Sequence, residues 1–155
     1  MAGLWTVRAG RESDVAAMYA LDLVCFDEPF RFDLAAMRRF VLERDAIVVV
    51  AEAAGELAGF VVIHPAWRRR QVVGYVVTLD IAPRFRRLGL AGELMALAEE
   101  QSVRAGAATM ALHVHAGNAA AIAFYERAGY ARGAFSAGFY GEGLDAWVYN
   151  KRLQR

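Results

Sequence analysis

Apolar positions along this chain follow two periods, and the switches between them mark out its elements. Leu4 to Ala9 reads as a short strand. Ser13 or Asp14 then caps a helix whose apolar positions Val15, Met18, Tyr19 and Leu23 recur at helical spacing. Pro29 disfavours helix at Glu28, so Cys25 to Phe30 is a break. Asp33 caps a second helix through Arg44, with Leu34, Met37 and Val41 on one face. Ile47 to Ala53 and Leu57 to Ile63 are β-rich runs joined by the hairpin signal Ala54–Gly55–Glu56. A basic loop from Pro65 to Arg70 leads to a strand from Val72 to Ile81. Pro83 ends that strand, and an Arg/Gly segment opens a long helix through about Arg104. Thr109 to His115 is a further strand. Asn118 caps a helix to Arg127 that Gly129 stops, and strands at about Tyr130–Phe135 and Leu144–Leu153 follow. The order β-α-α-β-β-β-α-β-α-β-β predicts an α+β domain in three layers, one mixed sheet with helices on its faces.

Composition narrows the class. At 155 residues the chain fits one domain spanning 1–155, large enough for a single core without staples. Its 57% apolar and 23% charged residues exclude intrinsic disorder. A net charge of +1 offers no bulk field for nucleic acid or an anionic membrane, so neither is expected as a partner. The apolar runs are shorter than the ~20 residues of a membrane span, and the N-terminal MAGLWTVRAGRES does not read as a signal peptide. One cysteine, Cys25, forms no intramolecular disulfide, and the expectation is buried packing in a cytoplasmic protein. Monomer and homodimer both remain open.

The chemistry concentrates between the third long strand and the long helix, in Ile81–Ala82–Pro83–Arg84–Phe85–Arg86–Arg87–Leu88–Gly89–Leu90–Ala91–Gly92. The first N–H groups of a helix lack internal partners and carry the positive end of its dipole. Small residues there let an anion approach, which suits a phosphate or pyrophosphate. Arg84, Arg86 and Arg87 add positive charge. No Lys-Ser/Thr pair follows, so this is not a nucleotide-hydrolysing loop. A helix start with solvated arginines is the plainer alternative.

Two motifs then align with a known family. Arg86–Arg87–Leu88–Gly89–Leu90–Ala91 resembles the R/Q-x-x-G-x-G/A motif of the GNAT superfamily of N-acetyltransferases. Asn118 with Phe124–Tyr125 and Gly129–Tyr130 resembles that superfamily's later N-x-x-A-x-x-F-Y-x-x-x-G-F/Y segment. The resemblance spans nearly the whole chain. It implies a mostly antiparallel sheet of about seven strands flanked by about four helices, and acetyl-CoA as donor. Pyrophosphate would sit on the backbone N–H groups of Arg87 to Gly92. The pantetheine arm would pair with edge atoms of Leu79, Asp80 and Ile81, and Asn118 would reach the CoA chain. Within the superfamily the chain is similar to protein N-terminal acetyltransferases, including the ribosomal-protein-alanine type. Cys25–Phe26…Pro29–Phe30 and Phe139–Tyr140…Asp145–Ala146 resemble segments that line their peptide entrance.

The resemblance also proposes roles. The ribosomal type carries a glutamate base where this chain has His113, a departure. Another branch carries Leu-His-Val there with a tyrosine on the preceding strand, which Leu112–His113–Val114 and Gly74–Tyr75–Val76 fit. His113 is then the base, direct or through a water that Tyr75 helps to hold. Tyr125 matches the general acid. Phe26, Pro29, Phe30, Tyr75, Phe139 and Tyr140 form the expected acceptor groove, the last two from a loop. His113 and His115 share a strand face, but with only His64 besides no metal site is expected. Trp67–Arg68–Arg69–Arg70 reads as a solvated turn, with RNA or the adenosine 3′-phosphate as alternatives. The expected reaction is direct acetyl transfer to a protein or peptide α-amine. The alternatives are a small amine such as a polyamine, aminoglycoside or amino acid, and a non-catalytic acyl-CoA-binding module.

Overall fold

The structure, a computed structural model, describes residues 3–154; the first two residues of the N-terminal segment and Arg155 lie outside the described residues. Its elements are β1 (Thr6–Ala9), α1 (Val15–Cys25), α2 (Leu34–Leu42), β2 (Ile47–Ala53), β3 (Glu56–Arg68), β4 (Gln71–Ile81), α3 (Leu90–Arg104), β5 (Ala107–His115), α4 (Ala119–Arg127), β6 (Ala131–Gly141) and β7 (Leu144–Arg152). The strands form one seven-stranded sheet in the order β1-β2-β3-β4-β5-β7-β6. Every pairing is antiparallel except β4 with β5.

Period-2 alternation sends side chains to both faces of this sheet. On one face Val61, Ile63, Met110 and Leu112 pack against Leu94 and Met95 of α3. On the other, Val50, Phe60 and Val62 pack against Met18 of α1 and Met37 of α2. Each such fully buried side chain stabilises by roughly 1.5–3 kcal/mol.

The parallel pair shapes the functional region. β4 and β5 are registered only from Val72↔Ala107 to Tyr75↔Ala111. Beyond Tyr75, β4 continues against β3 as far as Ile81, and β5 continues against β7 as far as His115. The inner edges of both strands are therefore unpaired past that point, and a wedge opens between them.

Asp33 accepts from the Ala36 N–H at 2.7 Å and Asn118 from the Ala121 N–H at 3.1 Å, the caps expected of both residues. Four local expectations change. Residues Glu12–Asp14 form a short 3₁₀ turn, and the Asp14 carboxylate takes Arg8 at 2.7 Å and the Arg11 N–H at 2.8 Å instead of capping α1. Leu34 is exposed, so Met37 carries the packing of α2. The basic loop Pro65–Arg70 is mostly strand: Pro65 pairs with Gly74, and only Arg69 and Arg70 make the turn. Proline is tolerated there because β2 ends its pairing at Ile47↔Ile63, leaving β3 an edge beyond it. β6 runs on to Gly141, which places Phe139 and Tyr140 on a strand and not in a loop.

Candidate active site

At the apex of the wedge the Tyr75 hydroxyl and His113 Nδ1 share a hydrogen bond of 2.7 Å. The contact is direct because Tyr75 and His113 sit on the same face of adjacent strands just where pairing ends. Burial lowers the pKa of His113 from 6.5 and raises that of Tyr75 from 10.0, so both are neutral near pH 7. Phe139 lies flat on the imidazole, with centroids 3.8 Å apart and planes 4° apart. It reaches there through a bulge: Ser136↔Ala146 and Gly141↔Leu144 bracket more residues on β6 than on β7. Gly138, at φ 66°, sits within that bulge, and its N–H donates to the Asp145 carboxylate at 2.8 Å. Tyr140 donates from its hydroxyl to the His113 carbonyl at 3.2 Å.

The wedge encloses a cavity of about 1000 Å³. One side is the start of α3. Gly89 is the N-cap at φ 91° and offers no side-chain acceptor, so no side chain covers the first-turn N–H groups. A Cβ on Gly89 or Gly92 would meet nothing within 4 Å, so the approach is clear. Arg86, Arg87, Gly89, Leu90, Ala91 and Gly92 all line the cavity, as do Leu79, Ile81, Asn118 and Tyr125. These residues fit an extended ligand ending in a pyrophosphate. Burial pushes the Tyr125 phenol well above its ordinary pKa of 10.0, so it stays protonated. Arg86 donates from Nε to the Ile81 carbonyl at 3.0 Å. Arg84 does not join them: it pairs with Glu56 at 2.7 Å. Leu88 is exposed and outside the cavity wall. Asn118 spends its Oδ1 on the helix cap.

The opposite side is aromatic. Phe30 lies 4.7 Å from the His115 ring and 5.0 Å from Tyr140, and Phe26 and Phe32 complete that wall. Pro29 starts the 3₁₀ turn that presents Phe30 and does not itself line the cavity. Phe32 and His115 escaped the expected groove, although His115 follows from strand alternation with His113. Cys25 lines the cavity half-buried; its Sγ donates to the Ile81 carbonyl at 3.3 Å, and burial raises its pKa to about 11, leaving an unreactive thiol. No group of His, Cys, Asp and Glu among the described residues is placed to hold a metal.

Asp80 keeps its backbone on the β4 edge, where the pantetheine arm is expected, while its side chain turns away from the cavity to Asp22 on α1. Both are buried, and each keeps one carboxyl oxygen without another partner. Burial first, and the Asp22 carboxyl second, push the Asp80 pKa well above 3.8, so Asp80 keeps its proton to higher pH than a free carboxyl does. Thr78 donates to Asp80 at 2.5 Å, and the Phe32 N–H donates to Asp22 at 2.9 Å. The acid pair thus ties β4 to the segment that carries the aromatic wall.

The model of the acetyltransferase (GNAT) family matches residues 15–130, which include the α3 loop, the wedge and α4. The chain belongs to the acetyltransferase (GNAT) family. It is an acyltransferase of that family. Among curated GNAT relatives, it is 28% identical over 151 residues to the N-terminal acetyltransferase A complex catalytic subunit NAA10 of Arabidopsis thaliana, covering 96% of this chain and 78% of that one. It is 26% identical over 116 residues to the N-alpha-acetyltransferase MAK3 of the same plant, covering 75% of this chain and 61% of that one. Its GNAT fold superposes on the ribosomal-protein-S18-alanine N-acetyltransferase of Escherichia coli with a TM-score of 0.84 at 21% identity, over 97% of this chain and 95% of that one.

Proposed function

We propose that this single domain acetylates the α-amine of a protein or peptide N-terminus, using acetyl-CoA and direct attack without an acyl-enzyme. The observation that carries this reading is the makeup of the acceptor wall. Phe26, Phe30, Phe32 and Tyr140 line it, and no Asp or Glu side chain among the described residues does. Asp27, Glu28 and Glu142, which would favour a polycation, stand outside it. A polyamine or aminoglycoside would bury several ammonium groups there with no carboxylate to offset their lost hydration. A peptide terminus brings one amine and an apolar-tolerant backbone.

Acetyl-CoA, when bound, supplies an acyl thioester whose carbonyl carbon the amine attacks. The α3 first-turn N–H groups, Arg86 and Arg87 would hold its pyrophosphate, and the unpaired edge of β4 at Leu79 its amide arm, the Ile81 carbonyl being taken by Arg86 and Cys25. At the apex, Tyr75 donates to His113 Nδ1. A proton arriving at the Tyr75 oxygen releases the phenol proton to His113, so the pair takes up one proton without forming a phenolate. The flat Phe139 ring meets the imidazolium that results, a cation–π contact. Tyr125 keeps a proton on its hydroxyl for the departing thiolate. Much of the acceleration is positioning within the wedge.

Mass spectrometry tests the acceptor. The protein is incubated with acetyl-CoA and peptides of varied first residue, with spermidine and an aminoglycoside alongside. Products confined to peptide α-amines are expected. Acetylation of a small amine alone would overturn the acceptor while leaving the family and its donor standing.

A further inference from the structure

We propose that the tip of the β3–β4 hairpin is a docking point for single-stranded RNA, with Arg68, Arg69 and Arg70 on its phosphates and Trp67 under an unpaired base. Four observations converge on this short turn.

Trp67 is 74% exposed, more than any other large apolar side chain among the described residues. Its neighbours along the chain are Arg68 and Ala66, and the apolar side chain beside it is the half-buried Val72 across the hairpin. A single open ring between guanidinium groups suits stacking on a base, which every nucleotide offers.

The three arginines are exposed, and no ion pair among the described residues includes them. Elsewhere Arg8, Arg38, Arg84, Arg104 and Arg132 each hold a carboxylate. The tip is therefore a run of three consecutive arginines without an ion pair, a local excess of positive charge that the net charge of +1 conceals.

Arg69 and Arg70 occupy both central positions of a two-residue turn, at φ 47° and 67°. That left-handed conformation is what Asn-Gly supplies without strain. Two consecutive arginines therefore fill a turn that Asn-Gly would form with less strain.

The tip also lies on the closed side of the wedge. Gln71 begins β4 four residues before Tyr75, whereas the cavity opens from Val76 to Ile81. The turn contributes nothing to the cavity wall. RNA held there leaves both the donor and acceptor sides of the cavity open.

Fluorescence anisotropy of a labelled 15-mer of oligouridine, at 50 and 200 mM KCl, tests this with the full chain. Arg69→Asn/Arg70→Gly removes two charges while giving the turn its preferred sequence, so loss of binding cannot come from misfolding. This variant is expected to bind at least tenfold more weakly, with the salt slope reduced by about 1.4, and to melt no lower than the parent. Trp67→Ala is expected to lose at least fivefold. Arg39→Ala/Arg44→Ala, which removes equal charge from the exposed surface of α2 and the turn after it, is expected to stay within twofold. Absence of binding by the parent protein overturns the proposal, as does equal loss in the two double variants. Binding to phosphatidylserine vesicles without binding to the oligonucleotide overturns it too, and assigns the tip to a membrane surface. Acetylation of any acceptor is expected to be unchanged in Arg69→Asn/Arg70→Gly, so the outcome is independent of the acceptor proposed above.

Discussion

Proton transfer at the wedge depends on which side chains are kept neutral. His113 is held below its ordinary 6.5 by burial, so it loses its free lone pair only as pH falls below that value. Turnover is expected to be flat around neutrality and to drop below pH 6.5. His113→Ala should lower kcat about 100-fold and remove that acid limb from the pH–rate profile. An unchanged profile would place the base elsewhere. Tyr125 stays protonated through the accessible range, so Tyr125→Phe should cut kcat by about 100-fold or more and shift the KM for the acetyl donor little, as steady-state kinetics at two donor concentrations would read. That both residues line the cavity was legible from the resemblance of the strand and aromatic motifs. The Phe139 stack was not, because it depends on a bulge whose register no local pattern announces. Nor was the outward turn of Arg84, which follows from Glu56 lying across on β3.

The order of elements was readable throughout, since each carries its own period and its own stop. Lengths failed where a neighbour decides. Proline signals an end to a strand, yet β3 passes through Pro65 because no third strand requires its N–H. A glycine-rich run signals a loop, yet β6 continues through Gly138 and Gly141 because β7 and Asp145 hold the bulge. Gly59 illustrates the constraint at this scale. A Cβ there would stand 2.8 Å from the Asp80 carbonyl and 2.9 Å from Ile81 Cδ1. Gly59→Ala must push β3 from β4 and is expected to cost about 1–3 kcal/mol, seen as a lower urea midpoint. Asp33→Ala removes a real cap and should cost about 1 kcal/mol by the same measurement.

Across the whole molecule, the raised pKa of the buried Asp80 links stability to pH. Asp80 in the folded state titrates well above its unfolded 3.8, so between those values the folded chain binds more protons. Stability therefore falls as pH rises from 3.8 through the folded value and levels off above it. Asp80→Asn, which keeps a hydrogen for Asp22, should flatten that decline in urea midpoints measured across the pH range. A parallel decline in both proteins would show that the proton sits elsewhere.

The unpaired inner edges of β4 and β5 have a consequence for the protein's lifetime. They leave the middle of the sheet unzipped, with strand-edge amide groups that a guest molecule can engage. A guest that binds the folded state alone at 100 times its Kd adds about 2.7 kcal/mol to stability. Local opening at the wedge should then become about a hundredfold rarer, and proteolytic nicking that starts there should slow in proportion. Abundance of the chain in a cell would rise and fall with the supply of whatever fills the wedge, even with synthesis held constant.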